Sequence, residues 1–236
     1  MTTRVSVEVR DGRHQVRTSA GLLRAQRLHG PGDRARVALV GQTALLLGGD
    51  QVGLAVEVGP GATLELSDIA GTVAYHGRGQ AASWHTSIRL GLGARMSYAG
   101  EPLVISDGAD VTRTLTVDLA EGASACLRET VVFGRAGEVG GRLDATTTVR
   151  QEGSDLAVER LVLDAGSRAR PGLLAGVRVV DSLLALGTTA PAITQRMDVV
   201  SYALLDEVST ITRFLGTSLA DSPLTPDAEI RWSWPT

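Results

Sequence analysis

Few residues in this chain are equipped for chemistry. Four histidines (His14, His29, His76 and His85) and one cysteine, Cys126, are the strong transition-metal ligands available. None stands in an HxH, HExxH or CxxC spacing, so a tight metal centre is not indicated. His76 and His85 flank GRGQAASW and could meet across a loop, or simply be two exposed loop histidines. Carboxylates beside turn residues are more numerous: Asp50, Asp68, Asp107, Asp110, Glu129 and Glu138. Such a group either caps a turn N–H or points into a polar interior. All 23 basic residues are arginine, and without lysine there is no Schiff base, no P-loop lysine and no kinase-type lysine. There is no GxSxG elbow, and GPGA (59–62) and GRGQ (77–80) read as turns and not as dinucleotide-binding loops. Two facing carboxylates could serve glycoside hydrolysis, but nothing selects a pair, and Trp84, Trp232 and Trp234 make a sparse platform for sugars.

The elements that must position these groups announce themselves by repetition. VEVGPGATLEL from Val56, IRLGLGARMSY from Ile88, VDLAEGASACL from Val117 and VRQEGSDLAVE from Val149 share one template. Each has an alternating stretch, a turn at Gly61, Gly93, Gly122 or Gly153, and a second alternating stretch. The glycines are 32, 29 and 31 residues apart, so a hairpin-like unit recurs about every thirty residues, which is the mark of stacked units. Alternation of Val, Ile and Leu with polar residues predicts strands with one buried face. MDVVSYALLDEVSTITRFLG fits a helical stripe in part, yet its density of β-branched residues favours two strands with a turn at Asp206-Glu207. Thr217 is a candidate cap for a short helix that Pro223 and Pro226 would end. No Ser/Pro-rich linker interrupts the chain. We therefore expect a single all-β domain over residues 1–236, built of short stacked strands, with minor helix near the C-terminus.

Composition narrows the function classes. The chain has 236 residues, is 43% hydrophobic and carries a net charge of −3, which disfavours disorder and a dedicated nucleic-acid binder. Residues 1–36 hold eight arginines against Glu8, Asp11 and Asp33, while the segment from Asp198 onward is acidic. This asymmetry is either a pair of solvated faces or a docking surface. The uncharged runs Val37–Gly49 and Ser182–Gln195 are shorter than the roughly 18 residues of a membrane-spanning helix. MTTRVSVEVRDGR has charges where a signal peptide has its apolar region, so a cytoplasmic protein is expected. A single cysteine rules out an internal disulfide.

Three ordered segments resemble the urease accessory protein UreD family, called UreH in some organisms. LLLGGDQVGLAVEVGPGATLELSDIAGTVAY (45–75) is similar to that family's Gly-Gly-Asp turn, strand-Gly-Ala-strand unit and following aromatic. SYAGEPLVISDGA (97–109) occupies the place of its tyrosine-leucine-proline segment, and VVFGRAGEVGGR (131–142) looks like its GR…GE signature. The likeness covers roughly residues 20 to 165. It departs from the family pattern at Ser67-Asp68-Ile69 and Val73-Ala74-Tyr75, where a threonine-threonine-glutamine stretch and a lysine are usual.

The resemblance implies a fold close to a β-helix, or β-solenoid. It also implies a non-catalytic scaffold that joins UreF and the GTPase UreG on apo-urease while nickel is delivered, with a polar, partly acidic passage through the protein. Under that reading no cofactor is tightly bound and Ni²⁺ is in transit, because isolated carboxylates hold it weakly whereas imidazole and thiolate would retain it. Asp50, Asp68 and Glu138 are the candidate transient ligands, or charges favouring a cation inside, with turn capping as the alternative for each. Two other readings stay open: a β-solenoid carbohydrate-active enzyme, and an unrelated β-repeat adaptor. The genes encoded beside this one would separate them.

Overall fold

The structure, a computed structural model, describes residues 1–30, 32–171, 174–189 and 196–224. Strands β1 (Thr2–Arg10) and β2 (Arg13–Ser19) form a hairpin, and β3 (Leu23–Arg27) pairs antiparallel with β4 (Ala35–Gly41). The chain then winds through β5 (Gln51–Val58), β6 (Thr63–Asp68), β7 (Thr72–Ala74), β8 (Ala82–Leu90), β9 (Arg95–Ala99), β10 (Leu103–Ile105), β11 (Asp110–Leu119), β12 (Ser124–Phe133) and β13 (Arg142–Gln151). It ends with β14 (Ser154–Leu163), helix α1 (Ala165–Ala169), β15 (Val179–Leu186), β16 (Val199–Ala203), β17 (Thr210–Gly216) and a 3-10 turn at Leu219–Asp221.

Two sheets face each other. One has seven strands in the order β14-β13-β11-β8-β5-β1-β2; the other has ten, with a main path β16-β17-β15-β12-β9-β6-β4-β3 and β7 and β10 beside it. The central pairings β1-β5-β8-β11-β13 and β4-β6-β9-β12 are parallel. The result is a β-solenoid of about four turns.

The thirty-residue period is the length of one coil. Val56, Ile88, Val117 and Val149, which open the four repeats in the sequence, stand in one register column with Val5. Three of the four repeat units are crossovers and not the hairpins expected. At Gly61, Gly93 and Gly122 the chain leaves one sheet for the other, so β5 and β6 do not pair with each other. All three glycines take positive φ (63°, 62° and 65°), and the corners bond to one another: Gly61 N–H donates to Leu92 O (2.9 Å) and Gly93 N–H to Glu121 O (3.0 Å). Of the four repeat glycines Gly153 alone closes a hairpin, with Glu152 at φ 48° and Gly153 at φ 81° bringing β14 back antiparallel to β13. Alternation looks the same on either side of both kinds of turn, which is why the sequence could not distinguish them.

The inward faces form one core, in which Leu64, Leu66, Ile88, Met96 and Leu127 are fully buried. Each such side chain contributes roughly 1.5–3 kcal/mol. β15 is buried along its whole length because the outer face of its sheet is covered too. There Val179, Leu183, Phe214 and Leu224 form a second apolar cluster. Beside it the fully buried Asp181 accepts two bonds from Arg128 (3.0 and 2.8 Å), one from Thr130 (2.7 Å) and one from Ser222 (2.6 Å). These contacts dock the segment after β17 on the sheet. MDVVSYALLDEVSTITRFLG forms β16 and β17 as expected, and Asp206 caps their turn by accepting from Ser209 N–H (2.8 Å). The short C-terminal helix is the 3-10 turn, whose cap position is held by Ser218 and not by Thr217, without a side-chain cap bond. Among the described residues no helix is long and apolar enough to cross a membrane.

Candidate functional site

A strand facing a core shows every second residue to it, and in this chain that series is interrupted by polar groups on seven strands. Asp68 follows Leu64 and Leu66; Tyr98 follows Met96; Arg113 lies between Val111 and Leu115; Glu129 lies between Leu127 and Val131. Glu159 falls between Ala157 and Leu161, Ser182 between Val180 and Leu184, and Arg213 between Ile211 and Leu215. Burying a charge is tolerated only when it is paired, so these groups must meet between the sheets.

They do. Arg113 of β11 forms an ion pair with Glu129 of β12 across the sheets at 2.6 Å, both side chains under a fifth exposed. Arg213 of β17 reaches Glu159 of β14 through two bonds (2.8 and 2.7 Å) and also donates to Ser182 Oγ (3.0 Å). Tyr202 on β16 donates its hydroxyl to Glu159 at 3.2 Å. Arg213 holds the Glu159 carboxyl below its ordinary range, overriding the opposing effect of burial. At the other end of the belt Tyr98 donates its hydroxyl to Asp68, 3.1 Å from both oxygens, and Glu101 N–H donates to the same carboxylate (3.1 Å). Among the described residues no arginine pairs with Asp68. Burial outweighs its two hydrogen bonds and pushes its pKa up to about 6.

The other two sequence candidates lie elsewhere. Asp50 accepts a bond from Leu47 N–H (2.8 Å) in the turn before β5. Glu138 lies in the loop 134–140, where it accepts from Arg135 N–H (2.9 Å), the Arg135 side chain (2.9 Å) and Asp107 N–H (3.3 Å). The arginine and backbone N–H bonds draw its pKa down to about 2. Arg168 and Arg178 fasten the same loop through the carbonyls of Val139 (2.7 Å), Gly134 (3.1 Å) and Arg135 (2.9 Å). Asp50, Asp68 and Glu138 thus occupy three separate places. Among the described residues no group of three His, Cys, Asp or Glu side chains is disposed to hold a metal ion.

His76 and His85 are not brought together either. His76 accepts from Arg78 N–H (3.0 Å) in its loop, while His85 sits exposed on β8 beside Thr114 Oγ1 (2.8 Å). Burial raises the Cys126 thiol to about 12, so it is not a thiolate ligand. Trp84 is buried and bonded to Thr86, and Trp232 and Trp234 lie outside the described residues. Of the belt residues, Glu129 is among the turn-side carboxylates of the sequence, whereas Arg113, Glu159 and Arg213 stand in no motif. The usable signal was phase, since each stands where its strand's alternation calls for an apolar residue.

Fold and interior together define a class: a short β-solenoid whose core is traversed by a belt of ionised and hydrogen-bonding side chains. Comparison with known proteins makes the assignment specific. A family model described as UreD urease accessory protein matches residues 2–224. The chain is 46% identical to urease accessory protein UreD 1 of Streptomyces griseus over 183 residues, 76% of this chain and 72% of that protein. It is 36% identical to urease accessory protein UreD of Streptomyces coelicolor over 168 residues (70% and 66%), and 30% identical to that of Streptomyces avermitilis over 210 residues (88% and 82%). The chain belongs to the UreD family of urease accessory proteins.

Proposed function

We propose that this chain is a non-catalytic scaffold which joins UreF and the GTPase UreG on apo-urease in the cytoplasm, and that the belt between its sheets eases the passage of Ni²⁺, carried as cargo. The observation that supports this reading is the belt itself. A solenoid stabilised only by packing would have no use for five ionisable residues, Asp68, Arg113, Glu129, Glu159 and Arg213, at core-facing positions, where apolar residues of similar volume are often as stable or more so. A divalent cation leaving water loses hydration, and fixed carboxylates and hydroxyls offset part of that cost. Isolated carboxylates also release Ni²⁺, which a conduit must do. Asp68, free of an arginine partner among the described residues, is the belt carboxylate best placed to meet a cation. Asp50 and Glu138 would act at the loops, where each already holds backbone N–H groups.

The test pairs two measurements on Asp68→Asn, Asp50→Ala and Glu138→Ala: pull-down of the UreF–UreG–urease assembly, and nickel-dependent urease activation. The expected result for Asp68→Asn is normal assembly with activation reduced several-fold. Turn capping alone at Asp50 or Glu138 would lower assembly and activation together. If all three variants assemble and activate urease at the parent rate, the passage role is wrong.

A further inference from the structure

The arginine-rich N-terminal segment plays no part in the belt, yet the fold gathers it into a concavity. A cavity of about 540 Å³ opens where the edge strands β2 and β3, the loop after β3 and the start of β4 converge. Its lining includes Arg13, His14, Arg27, His29, Arg34 and Arg36. Two carboxylates reach this group. Glu65 pairs with Arg34 (2.7 Å) and Arg36 (2.9 Å), and Asp33 with Arg34 (2.9 Å). Arg13 and Arg27 have no carboxylate partner among the described residues. Four guanidinium groups against two carboxylates leave a local charge of 4 − 2 = +2, histidines counted neutral, in a chain whose total is −3.

The site is also built. His14 Nε2 accepts from Thr63 N–H (3.0 Å) and its Nδ1 lies 3.4 Å from Gly32 O, which ties β2 to the neighbouring sheet. A side chain at Gly30 would run into Arg36 Cδ at 2.5 Å, so the glycine leaves that guanidinium its place. Among the described residues Leu28 and Ala35 supply the only apolar side chains of the lining, which holds no Phe, Tyr or Trp. Forked guanidinium donors match oxyanions. The volume exceeds what one phosphate fills.

We propose that this cavity binds a small polyvalent oxyanion of the di- or triphosphate class, with Arg13 and Arg27 as the principal donors and Arg34 and Arg36 held in place by Glu65. The experiment is calorimetric titration of the full chain with sodium pyrophosphate at low ionic strength. Sodium sulfate at matched ionic strength and ATP form the comparison arms. The double variant Arg13→Ser/Arg27→Ser is measured beside Arg89→Ser, a distant exposed arginine, and circular dichroism confirms that each is folded. Expected are saturable pyrophosphate binding, about tenfold weaker or worse in the double variant, unchanged in Arg89→Ser and weakened by salt. No saturable binding, equal affinity in the double variant, sulfate binding as tightly as pyrophosphate, or ATP binding where pyrophosphate does not would each overturn the proposal.

Discussion

Among the interior carboxylates Asp68 has a measurable signature of its own. Its pKa lies at about 6 in the folded chain against 3.8 for an ordinary aspartate, with burial as the main cause. Between about pH 4 and pH 6 the folded state therefore keeps a proton that the unfolded state has released. Stability falls as pH rises through that window and then levels off, by at most about 2–3 kcal/mol. Asp68→Asn cannot ionise, so its urea midpoint should lose this decline between pH 4 and 6 while following the parent elsewhere. An unchanged slope would place the titration in another group. Asp68 could be picked out from the sequence as an acid beside a turn. Its burial could not, since the Tyr98 hydroxyl and the Glu101 N–H that hold it lie on the next coil, some thirty residues on. The pair Glu159–Arg213 is separated by 54 residues, beyond any local pattern, and only the phase of each residue within its own strand hinted at it.

Where stacked coils turn, the glycines do two different jobs. A Cβ at Gly141 would lie 2.1 Å from Ala109 O, a backbone atom of the preceding coil that cannot swing aside. Gly61 has nothing within 4 Å of its Cβ position but a φ of +63°. Gly141→Ala should thus cost about 1–3 kcal/mol, toward the upper end or beyond, through overpacking. Gly61→Ala should cost only about 1 kcal/mol, through backbone conformation. Urea midpoints of the two variants check the order, and the reverse order would mean that the corners yield more readily than they look. The thirty-residue period and the strand alternation were readable because every coil repeats the same inward positions. The path between strands was not, because a corner and a hairpin use the same glycine.

At the level of the molecule, the two ends of the stack differ. The edge strands at the N-terminal end carry arginines, Arg13 and Arg17 on β2 and Arg24 and Arg27 on β3, which deter strand-to-strand association. At the other end β14 and β16 expose Val158 (64%) and Val200 (52%). The long uncharged runs are buried in part: Val37, Ala38 and Leu39 in β4 and Ser182–Leu186 in β15 are buried, while Val40 and Leu47 are exposed singly. Self-association should therefore proceed through the C-terminal end. Val158→Lys/Val200→Lys is expected to shift the chain toward monomer in sedimentation velocity, whereas the edge at β2 should tolerate Thr18→Lys, at an exposed position, without effect. A double variant that associates as strongly as the parent would locate the sticky surface elsewhere.

A parallel stack has no internal reason to stop, since each coil offers the next a template like the one it was given. Here the limit is set by the backbone at Glu152 and Gly153, which reverses the chain within its own sheet where three earlier glycines sent it across. Length is thus governed by one turn and not by any counting along the chain. The span between the arginine-edged end and the valine-edged end is consequently quantised: adding or deleting a whole coil ahead of that turn would move the two ends by one strand spacing, about 4.8 Å, with the terminal reversal intact. Any assembly gripping both ends would sense such a change as a step in reach at constant surface chemistry.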